Sequence, residues 1–193
     1  RNKHPLVLAI PRGAVPMGRL IADALEGELD VVLVRKLGAP GNAEFAIGSV
    51  DEGGWAYVAE YAASTGADAA YIEAEKQAQL EVMRRRRAEY TPVRPPIDPA
   101  GRVVIVVDDG LATGSTMISA LHALRSKSPA RLIVAVPVSP PDTLRKVQAL
   151  ADETVCLAAP AHFAAVGQFY LEFNQVSDAE VIAILRADAG LPH

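Results

Sequence analysis

The sequence is poor in cysteine and lacks long hydrophobic runs. Cys156 is the only cysteine among 193 residues, so an internal disulfide is excluded. It lies in an apolar run, which favours a buried structural thiol over a catalytic one. The longest apolar runs, such as 103–107, are far shorter than the roughly 20 residues that a membrane helix needs, and no secretory signal pattern is present. We therefore expect a protein of the reducing cytoplasm that has no membrane partner.

The sequence also lacks an excess of positive charge. Its 19 basic and 23 acidic side chains give a net charge of −4, which argues against a nucleic-acid partner. One local exception is the run Arg84–Arg87. On a helix these four side chains point in directions about 100° apart, so they do not form one patch. We interpret the run as a solvated helix end rather than a polyanion site.

The pattern of apolar residues predicts one compact domain over residues 1–193. Half of the residues are hydrophobic, and no stretch is of low complexity. Apolar runs typical of buried parallel strands occupy 6–10, 31–34, 103–107, 132–136 and 154–158. Helical patterns lie between them, the longest at about 67–90, and Ser139 and Ser177 are predicted to cap the last two helices. This alternation predicts an α/β, Rossmann-like fold with a parallel sheet flanked by helices.

The strand at 103–107 runs directly into the segment that carries the chemistry. Asp108 and Asp109 end the strand, where two carboxylates are costly unless they have partners. The paired hydroxyls of a ribose are suitable partners, since each carboxylate oxygen accepts a hydrogen bond. Residues Ala112, Thr113, Gly114, Ser115 and Thr116 follow at the start of a helix. Free backbone N–H groups, hydroxyls and the helix dipole favour a phosphate there. The segment therefore predicts a site for a ribose 5-phosphate.

Other nucleotide-binding and hydrolytic motifs are absent from the sequence. Neither a P-loop pattern nor the glycine fingerprint of dinucleotide-binding folds occurs. An α/β hydrolase needs a Gly-x-Ser-x-Gly elbow, and Ser115 lies instead in Thr-Gly-Ser-Thr. We therefore reject the hydrolase interpretation.

Residues 103–116 resemble the signature for 5-phosphoribosyl 1-pyrophosphate (PRPP) of the type I phosphoribosyltransferases. That signature is a hydrophobic strand, two acidic residues and a Thr-Gly-x-Thr loop, as found here. The chain is most similar to the bacterial "predicted phosphoribosyltransferase" group, whose substrate is unassigned. It shares with that group the Arg-Gly-Ala-Val-Pro opening, the Ala-Ile-Gly segment at 46–48 and the Val-Gly-Gln-Phe-Tyr segment near the end.

The resemblance implies roles for two loops near the beginning of the chain. In the family, the loop after the first strand binds pyrophosphate through backbone N–H groups, often beside a non-proline cis peptide. This role would fall on Arg12, Gly13 and Ala14. Arg35 and Lys36, predicted at the end of the second strand, would neutralise the pyrophosphate from the other side. The alternatives are an ordinary helix-entry turn and commonplace strand-end cations.

Two further segments correspond by resemblance to variable parts of the family. Residues 37–100 take the place of the flexible catalytic loop, with 39–42 as a plausible hinge, and they are predicted to hold their own strands and helix. Glu44 would be a substrate-facing acid or a plain surface carboxylate. Residues 159–176 are the candidate hood over the base. Phe163 is the candidate for stacking on the base, and a buried core phenylalanine is the alternative.

Taken together, the resemblance implies a cytoplasmic, homodimeric enzyme of nucleotide metabolism or nucleoside salvage. It would transfer the phosphoribosyl group of PRPP to a nitrogenous base and release pyrophosphate. The catalytic residues would be Arg12, Lys36, Asp108 and Asp109. A Mg²⁺ ion would assist, with Asp108 and Asp109 interacting with it through water. The alternative is a non-catalytic regulator that binds PRPP or a nucleotide with the same fold.

Overall fold

The computed structural model describes residues 4–92 and 95–190. In chain order the strands are β1 (Leu6–Ala9), β2 (Glu28–Val31), β3 (Val34–Ala39), β4 (Asn42–Asp51), β5 (Ala56–Val58), β6 (Val103–Val107), β7 (Arg131–Val138) and β8 (Glu153–Ala158). The α-helices are α1 (Val15–Leu25), α2 (Ala69–Tyr90), α3 (Ser115–Ser126), α4 (Pro141–Gln148) and α5 (Asp178–Asp188). Short 3-10 helices occupy Glu60–Thr65 and Val166–Phe169.

The central sheet has five strands in the order β2-β1-β6-β7-β8, and every neighbouring pair is parallel. All four residues of β1 are buried, as expected for a strand that is covered on both faces. Helices α1, α2 and α5 contribute to the apolar core on one face, while α3 and α4 contribute to the core on the other. The predicted α/β fold with a parallel sheet flanked by helices is therefore confirmed.

The apolar run at 31–34 is not the second strand that the sequence predicts. Strand β2 ends at Val31, and β3 begins at Val34 in a separate antiparallel sheet of order β3-β4-β5. Val32 and Leu33 between the strands are buried, so the run stays apolar while the chain leaves one sheet for the other. Arg35 and Lys36 therefore lie within β3, and the prediction that they end the second strand was wrong.

The segment proposed as a hinge is a tight hairpin turn. Pro40 and Gly41 connect β3 to β4, and Ala39 pairs with Asn42 across the turn. Gly41 has φ of +72°, a left-handed conformation that glycine adopts without steric cost. The segment lies at the tip of the β3–β4 hairpin rather than at its base, so it does not correspond to the predicted hinge.

The basic run on α2 is only partly solvated, contrary to the expectation from its sequence. Arg87 is largely buried, and it pairs with Asp30 at 2.8 Å and with Glu52 at 2.6 Å. Arg86 is half-buried, whereas Arg84 and Arg85 are exposed. Since Asp30 and Glu52 come from distant parts of the chain, the sequence pattern alone does not reveal these partners.

Of the two predicted helix caps, the structure confirms Ser177 and contradicts Ser139, and it places Cys156 in a half-buried position. Ser177 and Glu180 form the predicted capping box on α5, with Ser177 Oγ accepting from the Glu180 N–H at 3.2 Å. Ser139 does not cap α4, because that helix begins at Pro141 with Pro140 as its N-cap. Cys156 is half-buried on β8 rather than fully buried. Residues 1–3, 93–94 and 191–193 of the predicted domain lie outside the described residues.

None of the helices within residues 4–92 and 95–190 combines the length and the apolar composition needed to cross a membrane.

Candidate active site

The strand order reverses between β1 and β6, which makes their carboxyl ends the expected ligand site. From β1 the chain continues to β2 on one side, and from β6 it continues through β7 to β8 on the other. Ala9 and Val107 are register partners at the ends of these two strands. The loops that follow, 10–14 and 108–114, therefore begin next to each other, at the switch point where open α/β sheets bind ligands.

Asp108 and Asp109 stand at this edge as the sequence predicts. Both side chains are half-buried, and Asp108 Oδ1 accepts a hydrogen bond from the Asp109 N–H at 2.9 Å. Burial and the neighbouring Asp109 charge raise the pKa of Asp108 from its ordinary 3.8 to about 8. An acid such as Asp108, whose ionisation is this unfavourable, is suited to meet a hydroxyl donor or a cation brought by a ligand.

The loop 112–116 presents hydroxyl groups at the beginning of α3. Gly114 is the N-cap with φ of +75°, and Thr143 packs closely against it. The Thr143 hydroxyl donates to the Ala112 carbonyl at 2.8 Å, which fixes the loop from the side of α4. Thr113 and Ser115 are exposed, and their hydroxyl oxygens lie 3.2 Å apart. Because the first N–H groups of a helix have no intrahelical acceptor, this exposed turn is suited to an anion.

The loop after β1 lies directly against the acidic pair. A β-carbon on Gly13 would lie 3.2 Å from Cγ of Asp109 and would overlap one of its carboxylate oxygens. The Pro11–Arg12 peptide of this loop is cis. Arg12, Gly13 and Asp109 line one side of a cavity of about 580 Å³. The structure therefore brings together the first predicted loop and the acidic pair.

Arg35 and Lys36 lie beside the beginning of α3. They line a second cavity, of about 260 Å³, together with Ser115, Thr116 and Ser119. Arg35 also donates to the Gln79 side chain at 2.8 Å, and Lys36 pairs with Glu44 at 2.9 Å. Both cations thus face the hydroxyl loop rather than the Arg12–Gly13 turn. Glu44 is exposed, and its hydrogen bond and ion pair with Lys36 lower its pKa.

Two contacts hold the candidate hood against Asp109 and Gly110. The Tyr170 hydroxyl donates to the Asp109 carbonyl, and Val166 packs so closely on Gly110 that a side chain there would overlap it. Phe163 packs on Phe169, with ring centroids 5.1 Å apart, and does not line the large cavity.

The rest of the wall of the large cavity is formed by residues that the sequence did not single out, although four of them lie in the predicted hood 159–176. These are Arg86 from α2 and the hood residues Phe173, Asn174, Gln175 and Val176. No local pattern marks the hood residues, because they lie in irregular backbone between a 3-10 helix and α5. Arg86 belongs to the basic run 84–87, and the sequence pattern does not distinguish it from the other three arginines.

Comparison with known proteins decides the family. A model of the phosphoribosyl transferase domain matches residues 1–174. The chain belongs to the phosphoribosyltransferase family, a class of transferase enzymes. The type I resemblance of the 103–116 segment is thereby confirmed, and the match covers every loop of the candidate site except the last two hood residues.

Relatives of this phosphoribosyltransferase support the same assignment. The crystal structure of TT1426 from Thermus thermophilus has 48% sequence identity and a TM-score of 0.86, covering 95% of this chain and 87% of that one. Two proteins from Mycobacterium tuberculosis, of strains CDC 1551 / Oshkosh and H37Rv, are each 41% identical over 185 residues and are named provisionally as phosphoribosyl transferases. The match covers 95% of this chain but only 42% of each Mycobacterium protein.

The carboxylates of the candidate site fit a magnesium ion bound together with a phosphate-bearing ligand better than one bound by protein side chains alone. No group of three or more metal-binding side chains occurs within the described parts of the chain. Magnesium is commonly bound by one or two carboxylates, with phosphate oxygens of the substrate and water completing its coordination. Asp109 lines the cavity and Asp108 precedes it in the chain, so the two offer that minimal set of carboxylates.

Proposed function

We propose that this domain binds PRPP and transfers its phosphoribosyl group to a nitrogenous base, with release of pyrophosphate. The observation that carries the proposal is the contact between the Arg12–Gly13 turn and Asp109, beside a hydroxyl-bearing helix start. The acidic pair lies between two anion sites, one at 112–116 and one at 12–14. PRPP has the same order of groups, with a ribose diol between a 5-phosphate and a pyrophosphate.

Each part of the site has a distinct task in this proposal. The loop 112–116 holds the 5-phosphate through backbone N–H groups and hydroxyls. Asp108 and Asp109 accept hydrogen bonds from the ribose hydroxyls. Arg12, with the backbone of Gly13 and Ala14, stabilises the pyrophosphate as it departs. Negative charge collects on that group while the ribose carbon becomes oxocarbenium-like, so these donors act where charge develops.

A magnesium ion would be held at the same edge by Asp108 and Asp109 through water. When bound, it would neutralise charge on the pyrophosphate and orient it. Arg35 and Lys36 face the hydroxyl loop, so we assign them to the 5-phosphate end of PRPP. The family resemblance implies a homodimer, and we include homodimer formation in the proposal.

The test is calorimetric titration of the domain with PRPP and Mg²⁺. We expect wild-type protein to bind, and the double variant Asp108→Asn/Asp109→Asn to lose binding while keeping its circular dichroism spectrum. Glu89→Gln, which changes an exposed acid on α2, is the matched control and should bind as wild type does. Equal affinity of the double variant and wild type would refute the assignment.

Catalysis is tested separately by pyrophosphate release. Purines, pyrimidines and pyridines are offered with PRPP and Mg²⁺, and the released pyrophosphate is measured. Release with any of these bases supports the transferase. Binding of PRPP without release from any of them would favour the non-catalytic regulator instead.

A further inference from the structure

Arg86 is a cation of the large cavity that the proposed PRPP site does not use. It lines the 580 Å³ space together with the Arg12–Gly13 turn and Asp109. It belongs to α2, outside the loops that resemble the PRPP signature. Within residues 4–92 and 95–190, no carboxylate forms an ion pair with it. A half-buried guanidinium without a carboxylate partner at a ligand cavity points to a negatively charged ligand group.

A buried tyrosine holds Arg86 in position. Arg86 Nη1 donates to the Tyr90 hydroxyl at 3.0 Å, and this hydroxyl donates to Asp178 Oδ1 at 3.0 Å. Tyr90 is fully buried, and its burial, followed by its hydrogen bond to Asp178, raises the pKa of its phenol. The neutral phenol therefore orients the guanidinium without neutralising it, and the charge of Arg86 stays available.

Asp178 also approaches the other arginine of the cavity. Its Oδ2 lies 3.9 Å from Arg12 Nη1, and about half of its side chain is exposed. One carboxylate at the beginning of α5 thus connects to Arg12 directly and to Arg86 through Tyr90. At this distance and exposure it neutralises Arg12 only weakly. The cavity therefore holds two guanidinium groups, and the pyrophosphate of PRPP accounts for the one at Arg12.

The remaining wall of the cavity suits a planar ring. Phe173 is half-exposed, and Asn174 and Gln175 follow it with side-chain amides that both donate and accept. A volume of about 580 Å³ is within the range of small-molecule sites and exceeds what a pyrophosphate group alone requires. An aromatic face, amides and a spare guanidinium thus meet in one cavity.

We propose that the acceptor is a heterocycle that carries a carboxylate, and that Arg86 binds this carboxylate. The inference rests on the proposed function and narrows its substrate class. Guanidinium and carboxylate groups form paired, charge-assisted hydrogen bonds, which discriminate strongly against an uncharged analogue. Tyr90 and Asp178 are positioning residues in this arrangement, since they act through Arg86.

Matched pairs of ring compounds test the proposal. The pairs are nicotinate with nicotinamide, orotate with uracil, and imidazole-4-carboxylate with imidazole-4-carboxamide. PRPP binding is measured first by calorimetry, and its absence would overturn the proposed function itself and this inference with it. Pyrophosphate release is then measured with each compound. We expect wild type to prefer the acid of at least one pair by about tenfold or more in kcat/KM.

Variants of α2 identify the residue responsible. Arg86→Met should abolish the preference for the acid through a raised KM for the acceptor, while the KM for PRPP stays within about twofold of wild type. Arg86→Lys should keep part of the preference, and Tyr90→Phe should reduce it. Arg85→Met is the matched control, since Arg85 is largely exposed and pairs with Glu81, and it should retain the preference.

If any compound releases pyrophosphate, three results would overturn the inference. The first is a preference of wild type for the neutral compounds, and the second is an unchanged preference in Arg86→Met. The third is a raised KM for PRPP in Arg86→Met with every acceptor, which would assign Arg86 to the pyrophosphate. If no compound releases pyrophosphate, the same six are titrated by calorimetry with wild type and Arg86→Met. Failure of all three acids to bind more tightly than their neutral partners would then overturn it.

Discussion

Gly13 and Asp109 are in such close contact that position 13 has no room for a side chain. A β-carbon on Gly13 would lie 3.2 Å from Cγ of Asp109 and would overlap one of its carboxylate oxygens. The two residues follow different strands, β1 and β6, whose ends are register partners at Ala9 and Val107. The position of Asp109, the acid that we propose binds the ribose, therefore depends on a glycine in the neighbouring loop.

Gly13→Ala should weaken PRPP binding without unfolding the protein. The added methyl group would push the Asp109 carboxylate away from its position at the cavity. Loss of one charge-assisted hydrogen bond, worth about 1.5–3 kcal/mol, corresponds to a roughly tenfold to 150-fold weaker Kd. Calorimetry with PRPP and Mg²⁺ measures this. Gly53→Ala is the control, because its β-carbon would approach the ammonium of Lys127, which can move aside. Normal binding by Gly13→Ala would contradict the proposed role of the contact.

Arg87→Met should destabilise the fold strongly. The substitution leaves Asp30, which is almost fully buried, without its ion-pair partner and also removes the pairing with Glu52. Breaking a buried pair by removing one partner typically costs about 3–5 kcal/mol of unfolding free energy. Urea denaturation measures the change. Arg84→Met, on the exposed face of the same helix, should change the unfolding free energy by no more than about 0.5 kcal/mol. Similar effects of the two substitutions would show that the ion pairs contribute little.

The contrast between Arg87 and Ser177 shows which features a sequence reveals. Ser177 and Glu180 of the capping box are three positions apart, so both partners are visible in one short segment. Arg87 pairs with Asp30, which is 57 residues away in the sequence, and no local pattern near either residue predicts the other. Buried parallel strands such as β1 and β6 are equally visible, because they are apolar along their whole length. Local interactions and strand burial were therefore predictable, whereas long-range partners were not.

The residues of the candidate site fall into the same two groups, those that a local segment reveals and those that only the tertiary fold brings together. Asp108, Asp109 and the loop 112–116 form one continuous segment, in which the chemistry of both a ribose and a phosphate can be read. Arg86 and the hood residues 173–176 join them only through the tertiary fold. The run at 31–34 misled the sequence prediction for a related reason. Residues 31–33 are buried and Val34 is half-buried, although the two ends of the run belong to different sheets, so apolarity alone could not locate the change.

Asp108→Asn should stabilise the ligand-free protein, and more so at high pH. Burial and the charge of Asp109 raise the pKa of Asp108 from 3.8 to about 8. Between these values the folded protein retains a proton that the unfolded chain has lost, so the unfolding free energy of wild type falls as pH rises. Because asparagine does not ionise, the unfolding free energy of the variant does not fall with pH in this way. We expect its urea midpoint to exceed that of wild type at about pH 8, with a smaller difference at about pH 5.

Glu89→Gln provides the control for this pH dependence. Glu89 is an exposed acid on α2, and its substitution should leave the pH profile of wild type unchanged. A difference between Asp108→Asn and wild type that is independent of pH would mean that Asp108 titrates normally in the folded protein. Stabilisation would also agree with the general observation that binding sites hold groups that are unfavourable for the fold.

Lys36→Met should weaken binding of ribose 5-phosphate more than binding of pyrophosphate. Lys36 lies on β3 and lines the cavity that contains Ser115 and Thr116, whereas Arg12 and Gly13 line a different cavity. Lys36 is partly exposed and already pairs with Glu44, so the expected loss is modest, about threefold to tenfold in Kd. Lys146→Met, an exposed lysine of α4, is the control and should bind both ligands normally. A loss confined to pyrophosphate would instead support the role that the sequence resemblance implied, and it would mean that the β3–β4 hairpin moves towards Arg12 when ligand binds.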